Sequence, residues 1–187
     1  MIIPKIIFIF NTVAWLLPPF RQRGCKYFLY FLILALSDPV FSLIDWIHPS
    51  NSTPYYLFVS TLILVTLLKK KILLLSLLIV ILLSIYLSNP EIRLFTSLVH
   101  FMILLYFLKE MIVIISRESK IIIFNLVLVL YEASVFFKFT ASYLEITGIL
   151  YFYITTAFEV FIAIFFTIYN EKNSPVINLQ MEPTEID

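Results

Sequence analysis

The 187-residue chain has two glycines, one cysteine and few charges. Glycine lets membrane helices approach backbone to backbone. With only Gly24 and Gly148 present, GxxxG-type contacts are excluded as the organising device, and bulky side chains must fill the contacts between helices. A single cysteine, Cys25, excludes an intramolecular disulfide. Cysteine and histidine do not cluster with metal-site spacing, so neither metal nor other cofactor is expected. Charged residues make up 13% of the chain, against about 25% in a soluble domain. The basic residues sit at the ends of apolar stretches, which gives nucleic acid no surface. GxSxG and HExxH are absent, and no close acid–histidine pair is expected. No catalytic residue is therefore assigned, and an enzyme is not expected.

What is present is apolar. Hydrophobic residues make up 61% of the chain and the mean hydropathy is +1.01. A soluble core has no use for so much apolar surface. The composition predicts an all-α, polytopic membrane helix bundle spanning 1–170, followed by an acidic cytoplasmic tail over 171–187. Seven transmembrane helices are expected at about 2–18, 27–47, 55–68, 72–87, 92–116, 121–144 and 149–169. Pro18-Pro19 reads as the end of the first, Asp38-Pro39 as a break in the second, and Ser88-Asn89-Pro90 as a turn. A continuous helix through Lys69, Lys70 and Lys71 would put three ammonium groups at the bilayer centre, so a tight hairpin is expected there. Asn51-Ser52-Thr53 fits a glycosylation pattern, though an ordinary turn is the favoured reading. The tail, with Glu182, Glu185 and Asp187, reads as poorly ordered.

Basic loops set the orientation. Arg21, Arg23, Lys26, Lys69 to Lys71, Arg117, Lys120 and Lys172 all fall on one side of a seven-crossing chain, joined by Lys109. Only Lys5 and Arg93 lie near the other side. The N-terminus is predicted outside and the C-terminus in the cytoplasm, in a cell membrane, with the bacterial cytoplasmic (inner) membrane as the working assignment.

The polar residues inside the apolar stretches are the candidate site. At a rise of about 1.5 Å per residue, Asn11, Asp38, Glu132 and Glu159 come from four helices to a similar depth. Their expected arrangement is one buried midplane cluster. Asp45, Lys138 and His100 lie further out, and an Asp45–Lys138 ion pair is compatible with their depths. A buried charge costs about 2.5–3.5 kcal/mol on insertion scales, so such residues normally face the protein interior and mark ligand or coupling sites. Helix glue is the plainer reading, favoured for Asn11 and Asn125, and His100 reads first as a satisfied interior histidine. The ligand-binding or coupling set is therefore Asp38, Glu132, Glu159, Lys138, Asp45, His100 and Asn11.

The last helix carries Glu159 at mid-depth and no lysine, which excludes a retinal Schiff base there. The Asp-Arg-Tyr, Asn-Pro-x-x-Tyr and proline–glutamine motifs of known seven-helix families are absent, and no family is assigned. The expected function is a receptor-like sensory or accessory subunit with a polar intramembrane site, coupled to a membrane or cytoplasmic protein partner. The alternative is a small-solute transporter, proton-coupled through its intramembrane carboxylates. Apart from that protein, the lipid bilayer is the expected partner.

Overall fold

The computed structural model describes residues 3–47, 53–68, 79–80, 86–146 and 148–179, the side chains of 3–5, 149 and 152 excepted. The hairpin at Lys69 to Lys71, most of the helix expected over 72–87, Asn51-Ser52 and the acidic residues Glu182, Glu185 and Asp187 lie outside them.

The described chain is mostly helical, with two three-residue strands. In order it forms α1 (Ile3–Trp15), α2 (Pro18–Arg21), α3 (Phe28–Ile47), α4 (Thr53–Leu68), α5 (Asn89–Glu118), β1 (Lys120–Ile122), α6 (Ile123–Tyr143), α7 (Ile149–Ile168) and β2 (Val176–Asn178). Three of these helices, α3, α5 and α6, are long and apolar enough to cross a membrane. The stretches Ile6–Arg21, Thr53–Leu68 and Tyr153–Ile168 are apolar but shorter. Much of the outer surface is oily. Ile6, Ile9, Phe10 and Val13 on α1 are each more than half exposed, as are Phe137 on α6 and Phe161 on α7. A water-soluble monomer rarely leaves so large an apolar surface open.

The first helix does end before Pro18-Pro19, at Trp15, but the prolines there and at the 88–90 turn also start helices. Pro18 opens the short α2, and Pro90 lies in the first turn of α5. A proline there sacrifices no helical hydrogen bond, because the first amides have no partner anyway. The backbone amide of Ser88 donates to Glu91 at 2.7 Å, anchoring the start of α5 three residues earlier than expected. The helix ends at Ser119, whose φ of 49° closes it in the left-handed conformation. Its 30 residues extend about 45 Å at the usual rise, beyond the hydrocarbon core. The break expected at Asp38-Pro39 does not occur: α3 runs through Pro39. Hydroxyls serve the backbone on either side, with Ser37 donating to Leu34 O and Ser42 to Asp38 O.

Helices α1, α3, α4, α5, α6 and α7 each pack on the next, and α7 packs back on α1. They form a closed ring in chain order, with α2 wedged against α3 and α7. Inside one half of the ring lies a layer of aromatic side chains. Phe31 packs on Phe166 and Tyr27 on Phe107, with ring centroids 4.7 and 5.5 Å apart, and Phe124 meets Phe166 at 5.2 Å. Phe31, Phe124 and Phe166 are fully buried. This is the bulky packing that a glycine-poor bundle requires.

Beyond the aromatic layer is a basic end. There Lys26 pairs with Glu110, and its amide donates to Glu171. Burial alone would lower the pKa of Lys26, but the hydrogen bond from its ammonium to Glu110 and the nearby tyrosines more than offset this, and it is raised. Gly24 supplies the turn before α3 with a φ of +76°, which other residues seldom adopt. The described part of the tail is ordered, contrary to expectation. Residues Val176–Asn178 pair antiparallel with Lys120–Ile122, and Leu179 N–H donates to Ser119 O at 2.8 Å. Backbone pairing with a strand far away in sequence outweighs the low local hydrophobicity of 170–175.

Candidate functional site

A cavity of about 450 Å³ occupies the half of the ring away from the basic end. It reaches from Gly148, Ser142 and Tyr151 near the helix ends down to Trp15, Ile63 and Tyr131. Trp15 and Tyr131 pack as tilted rings with centroids 4.7 Å apart, and Trp15 also neighbours Phe166 of the aromatic layer, at 6.5 Å. The floor of the cavity and the aromatic layer are thus continuous. Of the residues named from sequence, Asn11, Asp38, His100, Lys138 and Glu159 line the cavity.

These residues form two hydrogen-bonded networks rather than one midplane cluster. In the first, Lys138 Nζ donates to Glu159 Oε1 at 2.7 Å, joining α6 to α7, and Asn11 Nδ2 from α1 donates to Glu159 Oε2 at 3.4 Å. The expected Asp45–Lys138 pair is not formed. Asp45 is exposed near the end of α3, two turns beyond Asp38 and past the packed part of the ring. Asp38 itself is half-buried at the cavity wall. Thr12 Oγ1 lies 3.5 Å from Asp38 Oδ2 but 3.0 Å from Phe8 O. With one proton to donate, the hydroxyl favours the nearer carbonyl, which leaves Asp38 without a full donor.

The second network centres on Glu132, which is fully buried. Tyr30 O–H donates to its Oε1 at 2.5 Å, and His100 Nδ1 lies 2.9 Å from its Oε2. His100 Nε2 is in turn 2.9 Å from Ser60 Oγ, and the ring stacks on Phe139 at 5.3 Å. The Ser60 hydroxyl donates to Tyr56 O at 2.7 Å. Its single proton being used, Ser60 accepts from His100, so Nε2 carries hydrogen. One proton then remains to be shared between His100 Nδ1 and Glu132. Whichever side holds it, the pair carries no net charge, which suits its burial. Sequence reasoning missed this acid–histidine pair because its partners lie 32 positions apart. No periodicity within either helix signals it.

Gln22 was missed as well. Flanked by Arg21 and Arg23, it resembles part of a basic loop, yet it is fully buried. Its Nε2 donates to Phe166 O at 2.9 Å and Tyr169 O at 2.8 Å, while Arg21 Nε donates to Ile168 O at 3.0 Å. The α2 turn thereby caps the orphan carbonyls at the end of α7. Asn125 is buried on α6 and does not line the cavity.

Two buried side-chain oxygens, Asn11 Oδ1 and Gln22 Oε1, have no hydrogen-bond partner among the described residues. Only Asn11 lines the cavity. Among the described residues there is no group of three or more His, Cys, Asp and Glu side chains that could hold a metal ion. No known protein family, curated protein or solved structure matches this chain.

Proposed function

We propose that this is a multi-pass membrane protein, a sensory or accessory subunit that binds a small ligand in the cavity and reports its occupancy at the basic end. The observation that carries the reading is the position of the Glu132 network. His100 and Ser60 line the cavity. Tyr30, at the other side of Glu132, packs on Phe31 and Phe107 of the aromatic layer at 5.1 and 5.3 Å. A ligand that moves His100 therefore acts on the aromatic layer through two hydrogen bonds. Beyond that layer, Lys26, Glu110 and the β1–β2 pair form the surface for a membrane or cytoplasmic protein partner. The positive-inside rule turns that end toward the cytoplasm, and the cavity toward the outside of the cell membrane.

The second reading is transport, and the Lys138–Glu159 pair at the cavity wall is the observation in its favour, since intramembrane charges often line solute paths. Against it counts the aromatic layer, which packs between the cavity floor and the basic end. Side-specific thiol labelling in sealed vesicles separates the two. A cysteine placed in the cavity by Ser37→Cys, in a Cys25→Ser background, is expected to react with an impermeant reagent from the cavity side only. Reaction from both sides would replace the sensory reading with alternating access.

A further inference from the structure

The cavity has a surplus of hydrogen-bond acceptors. Asn11 is 7% exposed, lines the cavity, and its Oδ1 has no partner among the described residues. Among the described residues, the side chain of Asp38 has the Thr12 hydroxyl, at 3.5 Å, as its hydrogen-bond donor. Lys138, the one lysine among the described residues of the wall, is already engaged by Glu159. Counted as charges, the Lys138–Glu159 pair cancels and the His100–Glu132 unit is neutral, so Asp38 is the uncompensated group. Aromatic side chains line much of the remaining wall, from Phe8 and Tyr56 to Phe139 and Tyr151. A bound molecule must therefore bring donors and positive charge at one end and tolerate π faces around the rest.

We propose that the cavity is a site for an organic cation, an ammonium group on an apolar or aromatic body. The ammonium sits between Asp38 and Asn11 Oδ1, where its three N–H donors meet the carboxylate and the unpartnered amide oxygen. The aromatic wall adds cation–π attraction, which favours alkylammonium over a hydrated inorganic ion. The proposal rests on the ligand-binding part of the function above and specifies its chemistry.

Trp15 provides the readout, being buried in the cavity wall, while Trp46 is 81% exposed and can be replaced by Phe. In bilayer nanodiscs at neutral pH, the probes are phenethylammonium, neutral 2-phenylethanol and anionic 3-phenylpropanoate. Phenethylammonium is expected to change Trp15 fluorescence saturably, at least about tenfold more tightly than the neutral probe. Asp38→Asn should remove that preference. Should this variant not fold, the charge preference of the unaltered cavity still decides the matter. Equal binding of all three probes, tightest binding of the anion, or no saturable binding of any would each overturn the cation site. The first two would leave a ligand cavity standing. Saturable, cation-selective binding with no change in Cys25 labelling at the basic end supports the cation site and overturns the sensory reading.

Discussion

Lys138 and Glu159 form the ion pair that closes the ring between α6 and α7 around the cavity, with Nζ 2.7 Å from Oε1. The two side chains differ in exposure, 39% for Lys138 and 8% for Glu159. Lys138→Met leaves a buried carboxylate without its cation. It is expected to lower stability by about 2–3 kcal/mol, less than for a wholly buried pair because solvent or headgroups reach Lys138. Lys138→Met combined with Glu159→Gln should cost less than the sum of the single changes. A thermal-unfolding double-mutant cycle in detergent measures this coupling. Asp45→Asn, by contrast, should change stability by less than about 0.5 kcal/mol, as expected for an exposed side chain.

The shared proton of the His100–Glu132 pair makes Glu132→Gln the mild substitution. Its amide oxygen accepts from Tyr30 and its amide nitrogen donates to neutral His100, so every buried partner stays satisfied. Glu132→Ala strands both His100 and Tyr30 and should cost about 3 kcal/mol or more, counting the unpaired polar groups and the cavity. Comparing melting temperatures of the two variants tests this. Equal losses would mean that the network does not hold the helices together.

Gln22→Ala removes the donor to two carbonyls at the end of α7. The expected cost is about 1–3 kcal/mol, the penalty for buried acceptors left unmade. Hydrogen exchange should rise first in 170–179, which begins where Gln22 ends the helix.

Phe166→Ala opens the aromatic layer where Trp15, Phe31 and Phe124 converge. A loss of about 3–5 kcal/mol is expected if the void stays empty. In sealed vesicles the same variant should let reagents from the basic end reach a cysteine at position 37. If it does not, the aromatic layer is not the barrier.

The Lys26–Glu110 pair gives a pH test with a definite sign. The folded pKa of Lys26 lies above its ordinary value of 10.5. Its contribution is therefore complete below that value and is lost only as pH rises through the higher folded pKa. The side chains are 38% and 31% exposed, so the pair is worth about 1 kcal/mol at most. Lys26→Ala should cost the same at pH 7 and pH 9, as read by thermal unfolding.

Composition alone determined that the chain is helical and apolar, and that Asn11, Asp38, Glu132, Lys138 and Glu159 had to find partners. Both are properties of single residues: a run of apolar side chains, or a charge inside one, carries its cost wherever the neighbours are. Depth was legible only in part: Lys138 and His100, read as further out, meet Glu159 and Glu132, read at mid-depth. Rotation and neighbour order were not legible. Only the closed ring decided that Lys138 meets Glu159 instead of Asp45, that His100 meets Glu132, and that the carboxylates divide into two networks. Gln22 was hidden for the same reason, since its partners belong to a helix more than 140 positions away. Proline misled locally, because its missing N–H suits a helix start as well as a helix end. Which role it takes depends on where the next helix packs, and that is settled by contacts between segments far apart in the chain.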